Sequence, residues 1–224
     1  MRWRGASARI VDGRNDRYKL FWIGNQEGIG GVRILLAEKW VEKAFEVKRV
    51  SDRIMLLKLL VGDHIVTVVS VYAPQSGLAR NVKDAFYDDQ ISVLSKIKEN
   101  EILLPCGDWN GHIGHGLRNT EGERILELAI TLDLVVTNSR FKKRPSHLIT
   151  FESGENRRQI DYILCRKQNF KLIIDVKVIP GEECVTQHKL LVCDLRLMTC
   201  KPRPKPFFSK RRIWKLKEPT IMRK

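Results

Sequence analysis

None of the five cysteines of this 224-residue chain forms a Cys-x-x-Cys pair, which argues against zinc ribbons and thioredoxin-type redox motifs. No apolar run approaches the roughly 20 residues a membrane-spanning helix needs, so no membrane partner is expected. Met1-Arg2-Trp3-Arg4-Gly5 carries charge and no apolar h-region, so nothing there has the pattern of a secretory signal. Internal repeats are absent too. Cys106, Cys165 and Cys193 lie within apolar, strand-like runs, where reduced buried thiols are expected rather than disulfides, and a nuclear or cytoplasmic location follows. With 43% hydrophobic residues the chain can bury a sizeable core, which excludes disorder for most of its length.

Acidic residues are outnumbered, 26 against 41 basic ones, for a net charge of +15. Residues 201 to 224 alone carry +9, leaving +6 on the first 200, a moderate excess that attracts a polyanion without naming it. In Lys201-Pro202-Arg203-Pro204-Lys205-Pro206 prolines alternate with cations, which predicts an extended linker rather than a packed element. We read residues 1–200 as one domain and 201–224 as a basic, Pro-rich tail or linker. A localisation signal, a DNA-contacting arm and a solvated linker all fit the tail.

Short segments rich in Val, Ile and aromatics, separated by Gly, Asp or Ser turns, predict strands over 18–23, 31–36, 44–50, 53–60 and 65–72. Val82, Phe86, Leu94 and Ile97 recur at helical spacing between residues 79 and 99. Thr120-Glu121-Gly122-Glu123 reads as a capping box opening a second helix with Ile125, Leu126, Ala129 and Leu132. Further strands are predicted over 134–137, 148–151, 159–165, 176–179 and 190–195. The fold class is α/β: two packed, mostly antiparallel β-sheets flanked by helices.

Four polar constellations punctuate these elements. Gly107-Asp108-Trp109-Asn110 follows the apolar run Ile102 to Cys106, setting a carboxylate and an amide two residues apart on a strand-to-loop turn. Such a pair can hold a water and a phosphate oxygen together, although Gly, Asp and Asn are also ordinary turn formers. Tyr72-Ala73-Pro74 ends a strand that Pro74 stops. Asp161 sits among apolar strand residues on the face opposite Ile160 and Tyr162 and requires a partner. His188 enters the last apolar run, Leu190 to Cys193. Singly, each also fits a structural role.

Taken in order, Tyr-x-Pro, Gly-Asp-x-Asn, Ile-Asp-Tyr and a His before the final strand resemble the endonuclease/exonuclease/phosphatase superfamily. Residues 47–54, 70–75, 142–150 and 178–182 are most similar to the endonuclease domains of non-LTR retrotransposons and to craniofacial development protein 2-like sequences. The resemblance covers roughly residues 2 to 195. It implies a four-layer sandwich with a cleft at one rim, Mg2+ (or Mn2+) as cofactor, and single-strand nicking of DNA. Within it, Asp108 orients or deprotonates a water and is the one metal-ligand candidate, Asn110 steadies the attacking oxygen, and His188 hydrogen-bonds a phosphoryl oxygen. Asp161 holds His188, and Tyr72 contacts the phosphate or leaving group. Arg157 and Arg158 are expected on the DNA backbone, with Thr150 and Phe151 lining the cleft.

The resemblance also implies an upstream first strand and a Gln-Glu-Thr segment, neither present in this sequence, and an Asp where Gln187 stands. The expectation is an N-terminally truncated domain with its first strand missing and the strands beside it unpaired. Two functional readings stay open: a divalent-metal DNA endonuclease, and a catalytically inactive remnant that binds nucleic acid or a protein partner. A phosphatase acting on sugar or lipid phosphates comes third.

Overall fold

A computed structural model describes residues 4–28, 30–114, 118–185 and 187–197; the basic tail lies outside the described residues. The described residues form three β-sheets and two long helices. β5 (Ile54–Val61), β6 (His64–Tyr72), β7 (Ile102–Asp108) and β11 (Asp161–Arg166) form the middle of a six-stranded sheet, edged by β4 (Ala44–Ser51) and β8 (Leu134–Val136). Among the described strands only β6 and β7 pair in parallel. The intervening segment supplies the crossover as α2 (Arg80–Leu94), following a short α1 (Glu38–Val41).

Helix α2 and α3 (Thr120–Thr131) cover one face of this sheet. Phe86, Val93, Leu94, Ile125 and Leu128 pack there against Ile54, Val69, Val71, Leu103 and Leu164, all buried. The opposite face packs on two smaller sheets. One is β1 (Ala6–Asp12), β2 (Arg17–Ile23) and β3 (Val32–Ala37); the other has the order β10 (Asn156–Arg158), β9 (Phe151–Ser153), β13 (His188–Leu195), β12 (Ile173–Val185). Phe21, Val32 and Leu36 of the first meet Met55 and Leu57. Val176 of the second meets Val66, Leu104 and Cys165.

This is the α/β arrangement of packed, mostly antiparallel sheets that the strand pattern predicts, with three differences. The second layer is divided in two, because β3 and β13 do not pair. Val82 is 39% exposed rather than core: it sits in the first turn of α2, ahead of the stripe Phe86, Gln90, Val93 and Leu94 that faces the sheet. The strands β1 and β10 are additional: β10 is polar and fully exposed, and β1 is exposed along nearly its whole length, with only small or isolated apolar residues.

The start of α3 also differs from the predicted capping box. Asn119, not Thr120, is the N-cap: its Oδ1 accepts from Gly122 N at 2.8 Å and from His112 N at 2.8 Å. One amide oxygen therefore caps the helix and fastens the 110–113 loop to it. Asn119→Ala strands both N–H groups, and urea unfolding is expected to show a loss of about 1–2 kcal/mol. An unchanged midpoint would show that the cap carries no weight.

Candidate active site

Strand register assembles the centre of the site. Tyr72 on β6 lies opposite Asp108 on β7, which lies opposite Asp161 on β11. Residues paired across neighbouring strands share a face, so the three form one cross-strand row. His188, first residue of β13, approaches from the facing sheet, where its backbone pairs with Phe151. These residues line one cleft of about 870 Å³, together with Asn110, Phe151, Arg158 and Gln187.

The turn after β7 is fixed from several directions. Gly107 has φ +147°, and a Cβ on it would fall 2.0 Å from the Val71 carbonyl oxygen, so the approach of β7 to β6 requires glycine. Asp108 Oδ1 accepts from Asn110 N at 3.0 Å, an Asx turn that tolerates the left-handed Asn110 (φ 51°). Asn110 Nδ2 donates to Ala73 O at 2.8 Å, tying the loop to the end of β6. Trp109 is fully buried and donates through Nε1 to Tyr162 O at 3.2 Å.

Asp161 is held by its backbone. Thr150 Oγ1 accepts from the N–H groups of Ile160 and Asp161, both at 3.0 Å, and Asn138 Nδ2 donates to Asp161 O at 3.0 Å. Thr150 is itself fully buried. The expected place for Thr150 on the cleft wall is thus corrected: its hydroxyl is consumed in positioning the Asp161 strand. Phe151 does line the cleft, edge-on to the His188 ring at 5.1 Å. Arg158 lines it as well. Arg157 is instead paired with Glu152 at 3.0 Å and is not among the lining residues. Gln187 turns its amide away to Ser153 Oγ at 2.8 Å; Thr186 lies outside the described residues.

The electrostatics follow from this packing. His188 Nδ1 is 3.0 Å from Asp161 Oδ2, and Nε2 is 3.9 Å from Asp108 Oδ2. The second distance is too long for a hydrogen bond; it leaves Nε2 and the carboxylate both facing the cleft. The Asp161 hydrogen bond raises the His188 pKa against the opposing effect of burial. Burial first and the Asp161 charge second push Asp108 up to about 7, against the pull of His188 and the Asn110 N–H. One carboxylate thus orients an imidazole while another takes up a proton near neutrality.

Sequence reasoning missed His112, Asn119, Arg33 and the 75–77 loop as cleft-lining groups. Of these only Asn119 left a signal, a capping residue misread by one position.

Packed, mostly antiparallel sheets with helices on one outer face make up the endonuclease/exonuclease/phosphatase fold. Solved structures agree on the fold. The endonuclease domain of TRAS1, a telomere-specific non-LTR retrotransposon, superposes with a TM-score of 0.60 at 16% identity, covering 87% of this chain and 80% of that one. AP endonuclease LMAP from Leishmania major gives 0.65 at 12% identity over 81% and 71%. The 3′ phosphatase NExo from Neisseria, bound to a product DNA hairpin, gives 0.62 at 14% over 80% of each chain. Among curated proteins the chain is similar to craniofacial development protein 2 of Bos taurus, 27% identical over 212 residues, and of Tragulus javanicus, 26% identical over 212 residues. It covers 88% of this chain in each case but only 35% and 36% of those proteins, so it spans about a third of their length. No protein-family model matches.

Proposed function

We propose that this chain is a divalent-metal-dependent phosphodiesterase that nicks one strand of DNA. The observation that carries the reading is the convergence of Asp161, His188 and Asp108 in one cleft at 3.0 and 3.9 Å, beside Asn110 and Tyr72. The names of the structural neighbours, a retrotransposon endonuclease and a phosphatase bound to a DNA hairpin, support DNA as the substrate.

In this reading Asp108 faces the attacking water and orients it or receives its proton. Asn110 is pinned to Ala73 and to the Asp108 turn, and steadies the attacking oxygen without reorganising. His188 offers Nε2–H to a non-bridging phosphoryl oxygen as charge builds up, and Asp161 keeps that nitrogen protonated and aimed. Tyr72 bounds the leaving-group side, and Arg158 meets the DNA backbone.

The donor set fits a hard cation only in part. Among the described residues no group of three or more His, Cys, Asp or Glu is placed to hold a metal ion, but burial raises the Asp108 pKa, which marks a carboxylate whose charge an adjacent cation would stabilise. Mg2+ (or Mn2+) commonly uses one or two carboxylates and keeps several waters; here Asp108 would hold it, and the ion would supply charge stabilisation at the phosphoryl oxygens.

A supercoiled-plasmid nicking assay with and without Mg2+, run on this chain and on Asp108→Ala and His188→Ala, tests the proposal. Metal-dependent nicking that both substitutions abolish is the expected outcome. Salt-sensitive DNA binding without nicking would replace this reading with that of a binding remnant.

A further inference from the structure

The cross-strand row of the candidate site has a fourth position. Strands β5 and β6 pair Ile54 with Val71, so one step further along the same antiparallel register Arg53 stands opposite Tyr72, and Tyr72 N donates to Arg53 O at 2.9 Å. Residues paired in this way share a face of the sheet, which sets Arg53, Tyr72, Asp108 and Asp161 side by side on four adjacent chain segments. Arg53 lies in the turn between β4 and β5, where its N–H donates to Ser51 Oγ at 3.2 Å. Its backbone is thus held from both sides.

The Arg53 side chain engages the same neighbour twice more. Nη1 donates to Tyr72 O at 3.2 Å, and the guanidinium carbon stands over the Tyr72 ring, 5.3 Å from its centroid. A guanidinium can donate through its edge and meet an aromatic ring with its delocalised charge at the same time, whereas an ammonium offers a single point charge. Tyr72 also packs against the core around Phe21, Val32 and Met55, and its Cε1 is the atom a Cβ on Gly30 would meet, at 3.6 Å. Tyr72 lines the cleft; Arg53 is not among the lining residues. Strand register fixes the Cα of Tyr72 but leaves its χ1 and χ2 free to turn. The cation over the ring supplies the missing constraint.

We propose that Arg53 is a positioning residue of this site: it acts through Tyr72, holding the phenol in the orientation that faces the scissile linkage, and does not itself contact DNA. A ring held in this way meets the leaving-group side without reorganising. The kinetic consequence rests on the nicking activity proposed above; the orientation of the ring does not.

Two variants of the full chain test it. Arg53→Lys keeps the charge and loses the planar fork, while Arg53→Gln keeps a planar donor and loses the charge. In plasmid nicking with Mg2+, each is expected to lower kcat about tenfold while KM stays within about twofold. In the Tyr72→Phe background, which keeps the ring and removes the hydroxyl, the same substitutions should lower kcat by less than about twofold, because the group they misplace is gone. Independently of activity, fluorotyrosine labelling gives a fluorine NMR signal for each of the four tyrosines, that of Tyr72 being assigned by its loss in Tyr72→Phe. The Tyr72 signal is expected to move in both Arg53 variants while those of the buried Tyr87 and Tyr162 stay in place. A KM rise in Arg53→Gln that is absent from Arg53→Lys would make Arg53 a direct DNA contact, and full additivity with Tyr72→Phe would separate it from the phenol. An unmoved Tyr72 signal would show that the pair does not form; each of these outcomes overturns the proposal. A parent chain that does not nick removes the enzymatic reading, and the fluorine signal then decides the role of Arg53 by itself.

Discussion

Under the proposed nicking activity, Asp161→Asn is expected to reduce plasmid nicking by about ten-thousandfold, the loss found when the carboxylate orienting a catalytic histidine is converted to an amide in a serine protease. The substitution keeps the size and the backbone bonds to Thr150 and Asn138, so the strand stays in place. What it removes is the charge that holds His188. The hydrogen bond to Asp161 is the leading cause of the raised His188 pKa, so NMR titration of the imidazole should show it titrating lower in the variant. The sign for stability follows from linkage. A histidine whose pKa is raised on folding contributes stability fully below its unfolded value, 6.5, and loses that contribution as pH rises through the folded value. The melting-temperature gap between the parent chain and Asp161→Asn should therefore be wider near about pH 6 than near about pH 9. An unshifted His188 titration would show that the pair does not exist in solution, whatever the activity. A shifted titration with no nicking in either protein would leave the geometry intact and remove the enzymatic reading.

Gly122→Ala is expected to be strongly disruptive. A Cβ at Gly122 would stand 1.8 Å from the His112 carbonyl oxygen and 2.5 Å from its carbon. Neither partner can withdraw cheaply: Gly122 is in the first turn of α3, and the His112 N–H is bonded to the same Asn119 oxygen that caps that helix. Separation of loop and helix breaks the cap and opens the core around Ile113 and Ile125, both buried. A loss of about 3 kcal/mol or more is expected, a fall in melting temperature on the order of 10 °C for a domain of this size. Gly77→Ala is the control, since a Cβ there meets nothing within 4 Å, and it should melt with the parent. Equal melting of Gly122→Ala and the parent would mean that the loop does not pack on α3 as described.

The reading of particular residues shows where sequence was sufficient. The strands β5, β6 and β7 announce themselves through Val, Ile and Leu runs because burial on both faces keeps polar residues few, such as Lys58, Thr67 and Ser70. α3 is visible for the complementary reason, an apolar stripe at helical spacing. Thr150 shows the opposite case: a threonine before an aromatic near the Asp161 strand reads equally as a cleft residue or as a buried anchor. Only its full burial and its two backbone N–H partners decide for the latter. Arg157 and Arg158 are adjacent and chemically identical, yet one is engaged by Glu152 and the other lines the cleft, a distinction set by which face of the β9–β10 hairpin each occupies.

From its sequence alone the chain determined most of the secondary-structure elements, the α/β class and the four polar positions worth attention, because local propensity and hydrophobic period are written residue by residue. The tertiary structure alone decided that Tyr72, Asp108 and Asp161 form one row and that His188 faces it from a second sheet. Those relations depend on strand register and sheet packing between segments up to more than a hundred residues apart, and no local spacing encodes them.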